Sequence, residues 1–135
     1  MGSTELDAGF SALVVGLGSI GMRHLENLRR LGCGRIGVFR SRKAPLHRPL
    51  DLTDVAIYYE FDEALERGYD AAIICNPTAL HMEFATRAAA AGCHLYLEKP
   101  VSNTLANTDE LVRIVKGNGL IAAVGCQFRF HPNLT

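Results

Sequence analysis

The run Gly16-Leu17-Gly18-Ser19-Ile20-Gly21 constrains this chain more than any other six residues. It follows an apolar stretch, Ala12-Leu13-Val14-Val15, and leads into Met22-Arg23-His24-Leu25-Glu26-Asn27-Leu28. A buried strand, a glycine turn and an amphipathic helix therefore follow one another. That context gives the glycine spacing a physical meaning. The first glycine permits the tight turn, the second lets the backbone approach a pyrophosphate, and the third lets the helix pack closely on the strand. The helix N-terminus adds unpaired N–H groups and the positive end of its dipole, which favour an anion. Gly16, Gly18, Ser19, Ile20 and Gly21 are the candidate contacts. The competing reading is an ordinary strand-to-helix turn that is merely rich in glycine.

Composition narrows the class. The chain has 135 residues, of which 48% are hydrophobic, enough for one domain with a real core. Its 14 basic and 14 acidic residues cancel, which argues against general binding to nucleic acid or to an anionic membrane. No apolar run approaches the roughly 20 residues that span a bilayer. Residues 1–10 lack the basic and apolar regions of a secretory signal and read as a tail. Cys33, Cys75, Cys93 and Cys126 form no CxxC pair, and the histidines are not spaced to complete a zinc site, so no metal is expected. Reduced, structural cysteines in a cytoplasmic protein are the expectation, with Cys75 and Cys126 acting as small apolar residues in or beside buried strands.

Along the chain, strand and helix alternate. Strands are expected at about Ser11–Val15, Arg35–Arg40, Val55–Tyr59, Asp70–Cys75, His94–Leu97 and Leu120–Val124. Helices are expected at about Ile20–Leu31, Phe61–Arg67, Ala79–Ala91 with Thr78 as N-cap, and Leu105–Lys116. Residues 41–54, with Pro45 and Pro49 and no clear period, read as a loop or a degenerate crossover. Six strands joined by crossovers imply an α/β fold with a mostly parallel, doubly wound sheet in the order 3-2-1-4-5-6. Ligands then bind beyond the C-terminal ends of the strands, and every unusual motif of the chain falls on that edge.

The end of the second strand bears on the choice of cofactor. An NAD site places an acid about 20 residues beyond the glycines to accept from the ribose 2′-OH. Here the sequence is Arg40-Ser41-Arg42-Lys43. Arg40, Ser41 and Arg42 suit a 2′-phosphate instead, which favours NADP(H) and leaves NAD(H) open, as it leaves open a solvated basic loop. Glu98-Lys99-Pro100 stands at the tip of the fifth strand, where a lysine beside a nicotinamide can bond a substrate oxygen and pass a proton. Asn76 and Pro77 can flank the nicotinamide ribose, and His81 can face the same cleft as a second catalytic candidate. His24 and His94 read as packed or partly exposed residues, and His47 as a solvated residue of the basic loop.

The glycine turn, Asn76-Pro77 with His81, Glu98-Lys99-Pro100, and Gly125-Cys126-Gln127-Phe128-Arg129-Phe130-His131-Pro132 occur in this order at familiar spacings. Together they resemble the N-terminal domain of the glucose–fructose oxidoreductase / inositol dehydrogenase (Gfo/Idh/MocA) family of NAD(P)-dependent oxidoreductases. The resemblance runs from Ser11 onward and implies a Rossmann domain over residues 11–126. It makes Lys99 a catalytic and cofactor-positioning residue, and Gln127 and Arg129 further cofactor contacts. It also implies hydride transfer to or from a hydroxyl or carbonyl carbon of a sugar, polyol or related metabolite. The family's enzymes continue into a second α/β domain that holds the substrate. Residues 127–135 read as the start of the connection to it, so the chain is expected to bind the cofactor, to be inactive alone and to be able to self-associate. Two alternatives stay open: a non-catalytic nucleotide-binding module, such as a redox sensor or assembly part, and a methyltransferase, which leaves Glu98-Lys99-Pro100 unexplained.

Overall fold

The computed structural model describes residues 5–41 and 45–134. Six strands form one parallel sheet: β1 (Ser11–Val15), β2 (Arg35–Phe39), β3 (Ala56–Tyr58), β4 (Ala71–Ile74), β5 (His94–Glu98) and β6 (Ala122–Gly125). Their order is β3-β2-β1-β4-β5-β6, the doubly wound order expected from the sequence. Four helices, α1 (Ser19–Arg30), α2 (Phe61–Glu66), α3 (His81–Ala90) and α4 (Thr108–Gly117), cover the sheet.

The sheet divides the core in two. All five residues of β1 are buried, and they alternate between the layers. Leu13 and Val15 join Phe39, Ile74, Leu95 and Leu97 beneath α2, α3 and α4, while Ala12 and Val14 join Val38 and Ile73 beneath α1. Burial on both faces is why β1 and β4 read as continuous apolar runs. Each fully buried Val or Leu contributes roughly 1.5–3 kcal/mol. Helix α1 buries Gly21, Met22, Leu25 and Leu28, a stripe at steps of three and four. Arg29 and Arg30 lie in its last turn, at the negative end of the dipole.

No helix joins β2 to β3 among the described residues; the segment 45–55 lies as a strap along α1. Its Leu46, Leu50, Leu52 and Val55 pack on the α1-side core. Arg48 pairs with Glu26 at 2.7 Å, and Arg29 pairs with Asp54 and donates to the Asp51 carbonyl.

Several local expectations are corrected. Thr78 does not cap the helix: residues Thr78–Leu80 form a 3-10 turn and α3 starts at His81. Helix α4 starts at Thr108, because Asn107 takes a left-handed backbone (φ 63°) that helical geometry cannot continue through. Leu105 is left 88% exposed. Strand β6 starts at Ala122, since Leu120 is still tied by its N–H to the Val115 carbonyl at the end of α4. Cys75 is buried as expected, but Cys126 lies beyond β6 and is exposed. No helix of the described residues is long and apolar enough to cross a membrane.

Candidate functional site

The C-terminal ends of β1, β2 and β4 surround an open cleft of about 520 Å³. Gly16, Leu17, Gly18, Ser19 and Ile20 form its floor. Phe39, Arg40 and Ser41 come from the end of β2, and Pro45 and His47 from the strap. Cys75, Asn76, Pro77, Leu80 and Phe84 close the side toward α3.

The floor is built by two glycines that nothing else can replace. Gly16 has φ 98°, and a Cβ there would come within 2.8 Å of the Asn76 backbone. A Cβ on Gly21 would lie 2.0 Å from the Gly16 carbonyl oxygen, so α1 can approach β1 only without one. Gly18 caps α1 and supplies no side-chain hydrogen bond, and the first turn holds no acidic residue. Among the described residues no partner meets the leading N–H groups of α1, at a helix end that lines the cleft, an arrangement that suits a phosphate.

Asn76 packs directly against Gly16. Among the described residues neither its buried Oδ1 nor its buried Nδ2 has a hydrogen-bond partner. A buried unsatisfied group costs roughly 1–3 kcal/mol, so a donor and an acceptor wait there for a polar ligand. The glycine floor, the open helix end and this orphaned amide fit a bound dinucleotide.

The remaining expected residues fall around the cleft unevenly. Arg40 and Ser41 line it; Arg42 lies outside the described residues. Glu98, Lys99, Gln127 and Arg129 share the same sheet edge but stand outside the lining, with Lys99, Gln127 and Arg129 exposed. His81 does not face the cleft: it is 2% exposed, with Nε2 at 2.7 Å from the Asn76 carbonyl and Nδ1 at 3.0 Å from the Pro100 carbonyl. With both nitrogens turned to backbone oxygens, the ring bridges the β4 and β5 tips and has none left for a substrate.

Two histidines keep the surroundings expected of them but make contacts that the sequence does not assign. His24 Nε2 lies 2.7 Å from Glu98 Oε1, both side chains are mostly buried, and the ring meets Tyr96 edge-on with centroids 5.3 Å apart. This pair fastens α1 to the strand end that carries Lys99. The available signal was spacing: His24 follows Gly21 by three residues and so shares its helix face. His47 is exposed, as the sequence suggests, and its Nε2 is also the atom nearest to where a Cβ on Gly18 would lie. The Cys75 thiol is pushed up to about 12 by burial and by the Glu98 charge, so it stays neutral and packs as an apolar group.

A glycine-floored cleft at the switch point of a six-stranded doubly wound sheet is the arrangement of a nucleotide-binding Rossmann domain. The chain belongs to the Gfo/Idh/MocA family: residues 10–126 match GFO_IDH_MocA, the oxidoreductase family with an NAD-binding Rossmann fold. It is 31% identical over 128 residues to 4-carboxy-2-hydroxymuconate-6-semialdehyde dehydrogenase of Sphingobium, covering 89% of this chain and 39% of that enzyme. It is 30% identical over 123 residues to myo-inositol 2-dehydrogenase of Thermotoga maritima, covering 89% and 37%. Among solved structures, a probable dehydrogenase from Thermotoga maritima superposes with a TM-score of 0.77 at 28% identity, covering 92% of this chain and 38% of that one. The chain thus spans less than two fifths of these relatives and corresponds to their N-terminal, cofactor-binding part. Membership of an oxidoreductase family removes the methyltransferase alternative.

Proposed function

We propose that the chain binds NADP(H) in preference to NAD(H), with the pyrophosphate on the N-terminus of α1. The end of β2 carries this reading: Arg40 and Ser41 line the cleft, and none of its described lining residues is a carboxylate. A carboxylate there would bond a ribose 2′-OH and repel a 2′-phosphate; a guanidinium and a hydroxyl favour the phosphate. Arg42 adds a second guanidinium in this reading.

The other residues take roles by position. Asn76 and Pro77 flank the nicotinamide ribose, the Asn76 amide supplying a donor and an acceptor. Gln127 and Arg129 add contacts from beyond β6. Glu98 backs the site, held by His24. His81 becomes a brace that fixes the spacing of the Asn76 and Pro100 loops. When bound, the nicotinamide supplies a carbon that accepts or returns a hydride. With the cofactor held in the cleft, Lys99 Nζ would hydrogen-bond the substrate oxygen; as the neutral amine it would accept the hydroxyl proton while the hydride passes to the nicotinamide, and as the ammonium it would return that proton in the reverse direction. The substrate class is a sugar, polyol or related metabolite, and its binding requires a second domain. The chain alone therefore binds cofactor with little or no turnover. A non-catalytic module is the second reading, favoured by the exposed position of Lys99 outside the cleft. The four free thiols accord with a reducing, cytoplasmic setting. The exposed Ile121, Val124 and Phe128 around β6 offer a surface for self-association.

Titration of the purified chain with NADPH, NADH and S-adenosylmethionine tests this. NADPH is expected to bind more tightly than NADH, and S-adenosylmethionine not at all. Tighter binding of NADH overturns the preference, and binding of neither nicotinamide overturns the function. Robust NADP-dependent oxidation of a polyol by the chain alone contradicts its dependence on a second domain.

A further inference from the structure

The strap that replaces the β2–β3 crossover helix delivers one ring to the glycine floor. His47 lies between two anchors: Leu46 packs on the α1-side core, and Arg48 pairs with Glu26 at 2.7 Å. These fix the backbone of His47 along α1, the helix whose first turn opens on the cleft. His47 lines that cleft, and its Nε2 is the atom nearest to where a Cβ on Gly18 would lie, at 3.9 Å. The ring is exposed, and among the described residues no partner occupies its nitrogens.

We propose that His47 is a phosphate ligand that holds the dinucleotide pyrophosphate from the strap side, across from the N–H groups of α1. The proposal rests on the dinucleotide reading above and adds a contact that the glycine motif does not contain. The backbone at Gly18 is bare, so a phosphate can settle against it. An imidazole N–H at the same spot donates to an oxygen that the helix end leaves unpaired. The Asn76 amide, which lines the same cleft beside Gly16 and has no hydrogen-bond partner among the described residues, independently marks it as a place where a polar ligand belongs. The strap is thus a functional half of the site. Its leucines and ion pairs seat it on α1, and the residue they carry meets the ligand.

The position over Gly18 assigns His47 to the pyrophosphate, which NAD and NADP share, rather than to the 2′-phosphate, which only NADP carries. Isothermal titration of the unaltered chain and His47→Ala with NADP+ and NAD+ separates the two. The variant is expected to lose about five- to twenty-fold in affinity for both nucleotides by the same factor. Its thermal midpoint is expected to stay unchanged, because the ring is exposed and supports no packing. Equal loss for both with an unchanged midpoint supports the proposal. A loss confined to NADP+ overturns it in favour of a 2′-phosphate contact, and unchanged affinity overturns it outright. If the unaltered chain binds neither nucleotide, the dinucleotide reading itself fails and this proposal falls with it.

Discussion

The tips of β1 and β5 lie on one edge of one sheet, yet their surroundings differ. Around β1, α1 and the strap cover one face and α2 and α3 cover the other. The glycine floor is fixed by backbone contacts, and a cleft is already shaped over it. Around β5, Leu95 and Leu97 are buried beneath α3 and α4, but Tyr96 on the opposite face is 36% exposed. The next strand, β6, exposes Ala122, Ala123 and Val124, and Ile121 just before it is 69% exposed. Lys99 stands in solvent beyond this less covered part. The β1 side of the cleft is therefore preformed, whereas the β5 tip is braced, among the described residues, by His24–Glu98 and His81. In the proposed reading cofactor binding rests on the first region and turnover on the second, so the two are expected to separate.

Four substitutions probe this difference between the two tips and the sheet that carries them, in order of decreasing expected effect. Gly21→Ala puts a Cβ 2.0 Å from the Gly16 carbonyl, so the turn must open; a loss of about 3 kcal/mol in denaturant stability is expected, with dinucleotide binding abolished. A variant that keeps both would remove the β1 half from the account. His24→Ala leaves Glu98 buried without its 2.7 Å partner and should cost about 2 kcal/mol of stability, yet leave the affinity for ADP-ribose unchanged. A parallel fall in ADP-ribose binding would show that the two tips are not separable. Gly18→Ala has room for its methyl group, the nearest atom being 3.9 Å away. It is expected to lose about tenfold in dinucleotide affinity, roughly 1.4 kcal/mol, while stability changes by less than about 1 kcal/mol. Equal affinity for both proteins would mean that the phosphate does not approach Gly18.

The smallest effect lies at the opposite edge of the sheet. Asp70 accepts from the backbone N–H and the hydroxyl of Ser11 at 2.8 and 2.9 Å, and these bonds hold its carboxyl below the ordinary aspartate range. A carboxyl depressed in the folded state stabilises fully above its unfolded value, and that stability disappears as pH falls through the folded value. Asp70→Asn is expected to lose on the order of 1 kcal/mol at neutral pH, the bonds being partly screened by solvent. Its stability curve should rejoin that of the unaltered chain in acid. Parallel curves down to low pH would mean that Asp70 contributes no charge-dependent stability.

The strand order was legible because parallel strands buried on both faces carry unbroken apolar runs, as Ala12–Val15 and Ala71–Ile74 do, and because the glycine turn marks where the winding begins. The candidate site was legible where the backbone itself demands a residue type, at Gly16 and Gly21. It was not legible where side chains from distant segments meet. His24 and Glu98 are 74 residues apart, and His81 meets the carbonyl of Pro100 19 residues on. A lone helical histidine carries no local mark of either partner. The strap was opaque for another reason. Its leucines follow no regular period, since they pack on α1 from an irregular backbone, so nothing in their spacing showed that they place His47 over Gly18.

If the β1 half binds its share of the cofactor without help from the β5 half, the nicotinamide adds little to the affinity. Calorimetric titration of the chain with NADP+ and with 2′-phospho-ADP-ribose, which lacks only the nicotinamide, reads this out. Affinities within about threefold of each other, a difference of some 0.7 kcal/mol, are expected. A fragment that fails to bind, or binds more than about thirtyfold more weakly than NADP+, would show that the β1 half depends on the β5 half.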